Sequence, residues 1–159
     1  MRHTISVLVQ NKPGVLAALA ATFQHHGINI RSISCAETER EDVSRMIICV
    51  EARAEDVRGV IEEIEALEFV SRMEDLSAQE MIDRELVMIK VRITPGTVSQ
   101  ILQIFEVFRA GVVDMGNETI SAELSAPSGK VAGLIRTLAP HGIVSLSRTG
   151  LIALTRGDA

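Results

Sequence analysis

Four residues in the first thirty positions have side chains or backbone groups suited to binding a free amino acid: Asn11, Pro13, Gly14 and Asn29. Pro13 and Gly14 lie where a strand pattern gives way to a helix, so the N–H groups of the first helical turn can bind a carboxylate at the positive end of the helix dipole. An asparagine amide can donate to a carboxylate and accept from an ammonium group. We expect adjacent strand ends to bring these residues to one helix N-terminus, which predicts a small-molecule sensor site.

Each of these residues also has an ordinary structural explanation. Proline at a helix start and glycine in a tight turn occur in many proteins. Asn29 follows Gly27 closely and can equally serve as a turn-forming residue. The hypothesis therefore depends on the combination and not on any one position.

The elements that must position these residues follow from hydrophobic periodicity. Strands are predicted over 4–9, 28–36, 45–52 and 69–76, and helices over 15–27 and 57–67. The resulting order, βαββαβ, predicts an antiparallel sheet with both helices on one face and the other face uncovered.

The second half of the chain repeats this plan after a polar stretch. Pro95-Gly96 and Gly111 echo Pro13-Gly14 and Gly27. Strands are predicted over 86–93, 112–115 and 119–124, helices over 98–108 and from Ser128, and a last strand region over 143–154. We predict an α+β fold of two tandem ferredoxin-like βαββαβ domains, over 1–77 and 84–159, joined by a linker at 78–83.

The two predicted loops are not equivalent. Thr94 precedes Pro95, and Val113-Asp114 stands where the second half would need a counterpart of Asn29-Ile30. The second loop is therefore predicted to be structural.

Composition narrows the range of functions. The net charge of −5 and the 3% aromatic content provide no basic footprint and little stacking surface for nucleic acid. No apolar run approaches the roughly 20 residues that a membrane span needs, and the N-terminal segment lacks the apolar block of a signal peptide. We expect no nucleic acid and no membrane as partners, and a cytoplasmic location.

Catalytic and metal-binding motifs are not recognisable. The four histidines lack HExxH spacing, and no serine or cysteine lies in a nucleophile motif. The acidic residues within 37–42 are interpreted as a solvated turn. Cys35 and Cys49 are predicted to be buried reduced thiols, although a hairpin centred near Asp42 would set them opposite each other and allow a disulfide.

The segment from Asn11 to Leu16 resembles the D/N-x-P-G-x-L loop of the ACT-domain family. More narrowly, segments along nearly the whole chain resemble the regulatory small subunits of acetohydroxyacid synthase (acetolactate synthase). These segments are Asn29-Ile30, Ser44-Arg45-Met46, Arg84-Glu85-Leu86 with Lys90, Phe108-Arg109, Ser128-Gly129-Lys130, His141-Gly142-Ile143, Arg148-Thr149-Gly150 and Arg156-Gly157-Asp158.

The resemblance implies a non-catalytic subunit that activates a separate catalytic large subunit and confers feedback inhibition by a branched-chain amino acid, usually valine. It implies a homodimer formed through the first domain, with the effector between Asn11, Gly14 and Val15 of one subunit and Asn29 and Ile30 of the other. Thiamine diphosphate, FAD and Mg²⁺ are expected on the catalytic partner, and neither cofactor nor metal on this chain. Valine, leucine and isoleucine differ too little for the sequence to choose among them.

Two other classes of protein remain open. One is a free-standing ACT-type amino-acid-binding regulator of another enzyme or of transcription. The acidic charge disfavours regulation of transcription. The other is a small enzyme on a ferredoxin-like repeat, disfavoured by the poor catalytic inventory.

Overall fold

The computed structural model describes residues 1–157, which divide into two compact units. The first comprises Met1–Ile82 and the described residues from Leu151 onward, and the second comprises Asp83–Gly150. Each unit contains an antiparallel sheet and two helices in the order βαββαβ. The predicted α+β fold class is confirmed.

The sheet of the first unit has the strand order β2-β3-β1-β4. The elements are β1 (Arg2–Gln10), α1 (Val15–His25), β2 (Ile30–Glu37), β3 (Val43–Glu51), α2 (Ala54–Glu65) and β4 (Val70–Asp75). One face of β1 and β3 forms a core with the buried faces of the helices, in which Ile5, Leu19, Phe23 and Ile48 are almost fully buried. Strand β2 lies at one edge of this sheet.

The second face of this sheet was predicted to be uncovered, and that prediction is wrong for the first unit. Ile47 and Cys49 of β3 are buried on this face by Leu76, Leu151 and Ala153. Leu76 begins a 3-10 turn (Leu76–Ala78), and Ala153 lies in β9 (Ile152–Thr155). Alternation along β3 could not show this cover because both covering segments come from elsewhere in the chain.

The sheet of the second unit has the order β6-β7-β5-β8. Its elements are β5 (Met81–Arg92), α3 (Val98–Phe108), β6 (Gly111–Met115), β7 (Thr119–Ala126), α4 (Ser128–Leu138) and β8 (Ile143–Arg148). Ile89 of β5 packs with Ile101 and Phe105 of α3 and with Leu134 of α4 in a core of its own.

The domain boundaries differ from the sequence prediction at the C-terminus. The predicted second domain extended to 159, but the described residues from Leu151 onward belong to the first unit. The N–H of Arg156 donates to the carbonyl oxygen of Glu80 (2.9 Å), beside the first residues of β5. The predicted linker at 78–83 is correspondingly occupied by the end of the 3-10 turn and the beginning of β5. Asp158 and Ala159 lie outside the described residues.

The cysteine prediction is wrong for Cys35, which is exposed, and holds for the buried Cys49. The β2–β3 register pairs Cys35 with Met46 and Cys49 with Ser32. The two cysteines are therefore three residues out of register, because the hairpin is centred closer to Arg40 than to Asp42.

Within the described residues, no helix has both the length and the apolar composition required to cross a membrane.

Candidate functional site

The start of α1 is the first component of the candidate site. Gly14 precedes the helix with φ 88° and ψ −16°, a left-handed conformation that glycine adopts at little cost. Among the described residues, no side chain caps this helix start, and the Val15 N–H has only a long contact, 3.5 Å, to the carbonyl oxygen of Lys12. N–H groups at the positive end of the helix are therefore available to an anion.

A hollow of about 440 Å³ opens at this helix start. Its walls are formed by Gln10, Lys12, Pro13, Gly14, Val15, Glu68 and Phe69. The phenyl ring and the proline supply apolar surface, and the loop backbone supplies polar groups. The hollow combines the anion-binding helix start with apolar walls, as a site for a small amphipathic ligand requires.

Asn11 lines a neighbouring hollow of about 460 Å³, which shares Gln10 and Lys12 with the first. The Asn11 amide nitrogen Nδ2 donates to Oε1 of Glu37 (3.0 Å) and to the carbonyl oxygen of Glu41 (3.0 Å). Both amide hydrogens are thereby used, so the group that Asn11 can offer a ligand is the acceptor Oδ1. This chemistry suits an ammonium group.

The β2–β3 turn supplies charges close to Asn11. Arg40 donates to both carboxylate oxygens of Asp42, at 3.2 and 2.7 Å. This guanidinium lowers the pKa of the Asp42 carboxyl from its ordinary value, first through the hydrogen bond and then through its charge. Sequence reasoning interpreted the whole acidic stretch as a solvated turn and missed the Glu37 contact, which only the register of β2 against its neighbours reveals.

Asn29 and Ile30 lie at the other end of α1. They line a hollow of about 390 Å³ with Ala20, Phe23, Gln24, Gly27 and Ile28. Strand register agrees, because Ile30 and His3 both pair with Val50, whereas Gln10 pairs with Val43. The prediction that one chain gathers all these residues at a single helix N-terminus is therefore wrong: the 11-residue helix separates the two groups by roughly 16 Å.

The corresponding loop of the second unit has a different geometry. The Thr94 N–H donates to Oγ1 of Thr97 (3.0 Å), and the two threonine hydroxyls lie 3.1 Å apart. Gly96, the counterpart of Gly14, does not have a left-handed φ. Two of this loop's own polar side chains thus contact each other, and its structural role stays a prediction.

The prediction that Val113-Asp114 of the second unit occupies the position of Asn29-Ile30 is wrong. Asp114 pairs with Ser121 on β7, and a bulge lies between Val112 and Asp114. Matching β7 to β3 through the central strands β5 and β1 aligns Asp114 with Ala36, near the end of β2, and not with its beginning. Local alternation cannot reveal this shift, because β6 is shorter than β2.

Comparisons with known proteins agree along the chain. A family model described as the small subunit of acetolactate synthase matches residues 84–157, and one described as an acetohydroxyacid synthase small subunit-like ACT domain matches 5–72. A probable acetolactate synthase small subunit of Archaeoglobus fulgidus is 37% identical over 99% of both chains. An acetolactate synthase small subunit of Mycobacterium bovis is 37% identical over 98% of this chain and 92% of that one.

A solved structure gives the same result. The crystal structure of an acetolactate synthase small subunit from Thermotoga maritima matches with a TM-score of 0.87 at 30% identity, over 100% of this chain and 99% of that one. The tandem fold, the two family models and the full-length relatives all lead to one assignment. The chain belongs to the family of acetolactate synthase small subunits.

Proposed function

We propose that this chain is a regulatory subunit that activates a separate catalytic acetolactate synthase and makes it sensitive to feedback inhibition by valine. The observation that carries the proposal is the left-handed, uncapped helix start at Gly14, beside the Asn11 amide whose two hydrogens are already used. Donors for a carboxylate and an acceptor for an ammonium group lie on one loop.

In the proposed complex, the N–H groups of Gly14 and Val15 bind the carboxylate of the amino acid. Asn11 Oδ1 accepts from its ammonium group. Asn29 of a second copy also contacts the ammonium group, and the apolar wall beside it, with Phe23, Ile28 and Ile30, receives the isopropyl group. Charge-assisted hydrogen bonds of this kind are the strongest that such an exposed site can form.

A homodimer formed through the first unit would bring the two half-sites together. Strand β2 is an edge strand, so it can pair with β2 of a second copy. Two copies related by a twofold axis run antiparallel, which sets the start of α1 in one copy against the end of α1 in the other. The separation of Asn11 from Asn29 within one chain supports this arrangement.

Inhibition requires that valine bind one arrangement of the subunits more tightly than the other. A ligand held between two copies can meet this requirement, because a change in the angle between the copies alters its contacts from both sides. The chemistry of acetolactate formation, with thiamine diphosphate, FAD and Mg²⁺, would reside on the catalytic subunit. This chain would act through binding alone.

The test is reconstitution with a purified acetolactate synthase catalytic subunit from the same source, measuring acetolactate formation with and without valine. We expect co-elution in gel filtration, a several-fold increase in activity and its loss when valine is added. The absence of both association and activation would overturn the proposal. Valine binding without association would favour a free-standing amino-acid-binding regulator.

A further inference from the structure

We infer that Glu37 is a positioning residue of the effector site: it holds the Asn11 amide so that Oδ1, and not the amide nitrogen, faces the ammonium group. The inference rests on the proposed function and deepens it. An asparagine amide can turn over and offer either its donor or its acceptor end. A site that selects an amino acid must fix that choice.

The contacts of Asn11 show how the choice is made. Two acceptors lie on the same side of the amide, Oε1 of Glu37 and the carbonyl oxygen of Glu41, each 3.0 Å from Nδ2. If the amide turned over, Oδ1 would face these two oxygens and both hydrogen bonds would be lost. Hydrogen bonds to a charged group are stronger than neutral ones, so Glu37 contributes more to this preference than the carbonyl oxygen does.

The charges around Glu37 leave its carboxylate available for this task. Arg40, the one cation within residues 37–42, donates to both oxygens of Asp42. Glu37 is the last residue of β2 and is exposed.

The second unit provides an internal comparison. Its central strand aligns with that of the first unit at an offset of 82 residues, so that Val9 and Val91 are both central-strand residues just after a bulge against β4 and β8, respectively. Ile93 is then the counterpart of Asn11. The Ile93 N–H donates to the carbonyl oxygen of Glu118, as the Asn11 N–H donates to that of Asp42. Met115 aligns with Glu37, through Ile120 and Ser44. Asparagine and glutamate occur together in the first unit, whereas both of their counterparts in the second unit are apolar, as expected for a functional pair.

The test is a double-mutant cycle on the full-length chain, with the dissociation constant of valine measured by NMR titration. The variants are Asn11→Ala, Glu37→Ala and the double variant. We expect Glu37→Ala to weaken valine binding roughly tenfold, the equivalent of one charged hydrogen bond, and to have no further effect when Asn11 is already alanine. An equal loss in both backgrounds would overturn the inference, as would no loss in either.

Two more variants separate positioning from charge. Glu37→Gln retains an acceptor for Asn11, so we expect its affinity to stay within about threefold of the original, whereas a loss as large as that of Glu37→Ala would overturn the positioning role. Glu41→Gln removes the same charge from the same turn while keeping the backbone carbonyl oxygen, and we expect no change. A loss equal to that of Glu37→Ala would indicate a general charge effect and overturn the inference.

A final arm separates this inference from the proposed function. Gly14→Asp is expected to abolish valine binding whatever the role of Glu37. If Gly14→Asp still binds valine with unchanged affinity, the proposed site itself is refuted. If Gly14→Asp abolishes binding and Glu37→Ala leaves it intact, only the role of Glu37 is refuted.

Discussion

The loops that begin α1 and α3 have the same Pro-Gly pair at the same place in a repeated fold, yet they differ in how their polar groups are used. In the first loop, Gly14 is left-handed and, among the described residues, no side chain caps the helix. In the second, Thr97 accepts from the Thr94 N–H and contacts the Thr94 hydroxyl. Among the described residues no side chain caps α3 either, but the Thr97 and Val98 N–H groups both donate to the Thr94 carbonyl oxygen, each at 3.0 Å. The second loop therefore leaves fewer N–H groups for a ligand than the first.

This difference teaches that a shared motif does not imply a shared site. Pro-Gly positions a chain to enter a helix in both units, and the surrounding backbone decides how many N–H groups of the helix start remain free. The two residues on which the proposed effector site depends, Asn11 and Glu37, have Ile93 and Met115 as their counterparts in the second unit. The proposed function therefore depends on the residues that accompany the motif.

The units also differ at a second equivalent position. His3 and Asp75 form a hydrogen-bonded pair in the first unit, 2.7 Å between Nδ1 and Oδ2. Glu85 and Arg148 occupy the same strand positions in the second, where Arg148 donates to both carboxylate oxygens, at 2.7 and 2.8 Å. The acidic residue is on the edge strand β4 in the first pair and on the central strand β5 in the second. The Glu85 carboxylate raises the pKa of Arg148 through these hydrogen bonds.

The largest effect is expected at Glu85, which is only 4% exposed. Glu85→Ala removes both acceptors of Arg148, whose guanidinium is exposed and can be solvated by water afterwards. A hydrogen bond to a charged group contributes about 1.5 to 3 kcal/mol, and for the two bonds together we expect the lower end, a loss of about 3 kcal/mol. Urea unfolding followed by far-UV circular dichroism measures the change.

The matched control for this prediction is Glu123→Ala on the neighbouring strand β7. Glu123 is exposed, and we expect its loss to change the free energy of unfolding by less than about 0.5 kcal/mol. A Glu85→Ala variant as stable as Glu123→Ala would mean that the pair does not stabilise the second unit.

The next effect compares the two glycines directly. Gly14→Asp sets a carboxylate at the open helix start, where it occupies the anion site and repels the effector. We expect the valine concentration for half-inhibition to rise about 100-fold or more, since two or so charged hydrogen bonds are lost, while activation of the catalytic subunit persists. Gly96→Asp should leave valine sensitivity unchanged.

Backbone strain needs its own control, because the φ of Gly14 is positive. Gly14→Asn has nearly the same shape as Gly14→Asp and tolerates the left-handed region similarly, but it carries no charge. We expect it to retain most of the valine sensitivity. Equal losses in both variants would attribute the effect to strain and remove the anion argument.

The smallest effect is expected in the second loop. Thr97→Ala removes the hydroxyl that accepts from the Thr94 N–H, which should lower the free energy of unfolding by about 1 kcal/mol, the contribution of one neutral hydrogen bond. Thr97→Ser retains the hydroxyl and should restore most of this loss. Altered valine inhibition in Thr97→Ala would contradict the structural role assigned to the loop.

Periodicity predicted the elements well because each helix buries one continuous face. The helix predicted over 98–108 matches α3 (Val98–Phe108), and the first helix begins at Val15 as expected. The stop at Gly27 is also seen, where the Ile28 N–H donates to the carbonyl oxygen of Phe23. These features depend on residues close together in the chain.

The errors share a different cause, which is pairing between distant segments. The positions of Cys35 and of Val113-Asp114 depended on strand register, and register is set by bulges and partner strands. The cover formed by Leu151 and Ala153 depends on a segment about a hundred residues away from Ile47. The prediction of the site has errors of the same kind. The sequence motif identified Gly14, but it showed neither the separation of Gly14 from Asn29 nor the contact of Glu37 with Asn11.

The most direct test of the central claim is a ¹⁵N NMR titration of the full-length chain with valine, following the amide signals of both loops. The account predicts large shifts for Gly14 and Val15 and none for Gly96 and Val98. Shifts in the second loop, or the absence of shifts at Gly14 under saturating valine, would contradict it.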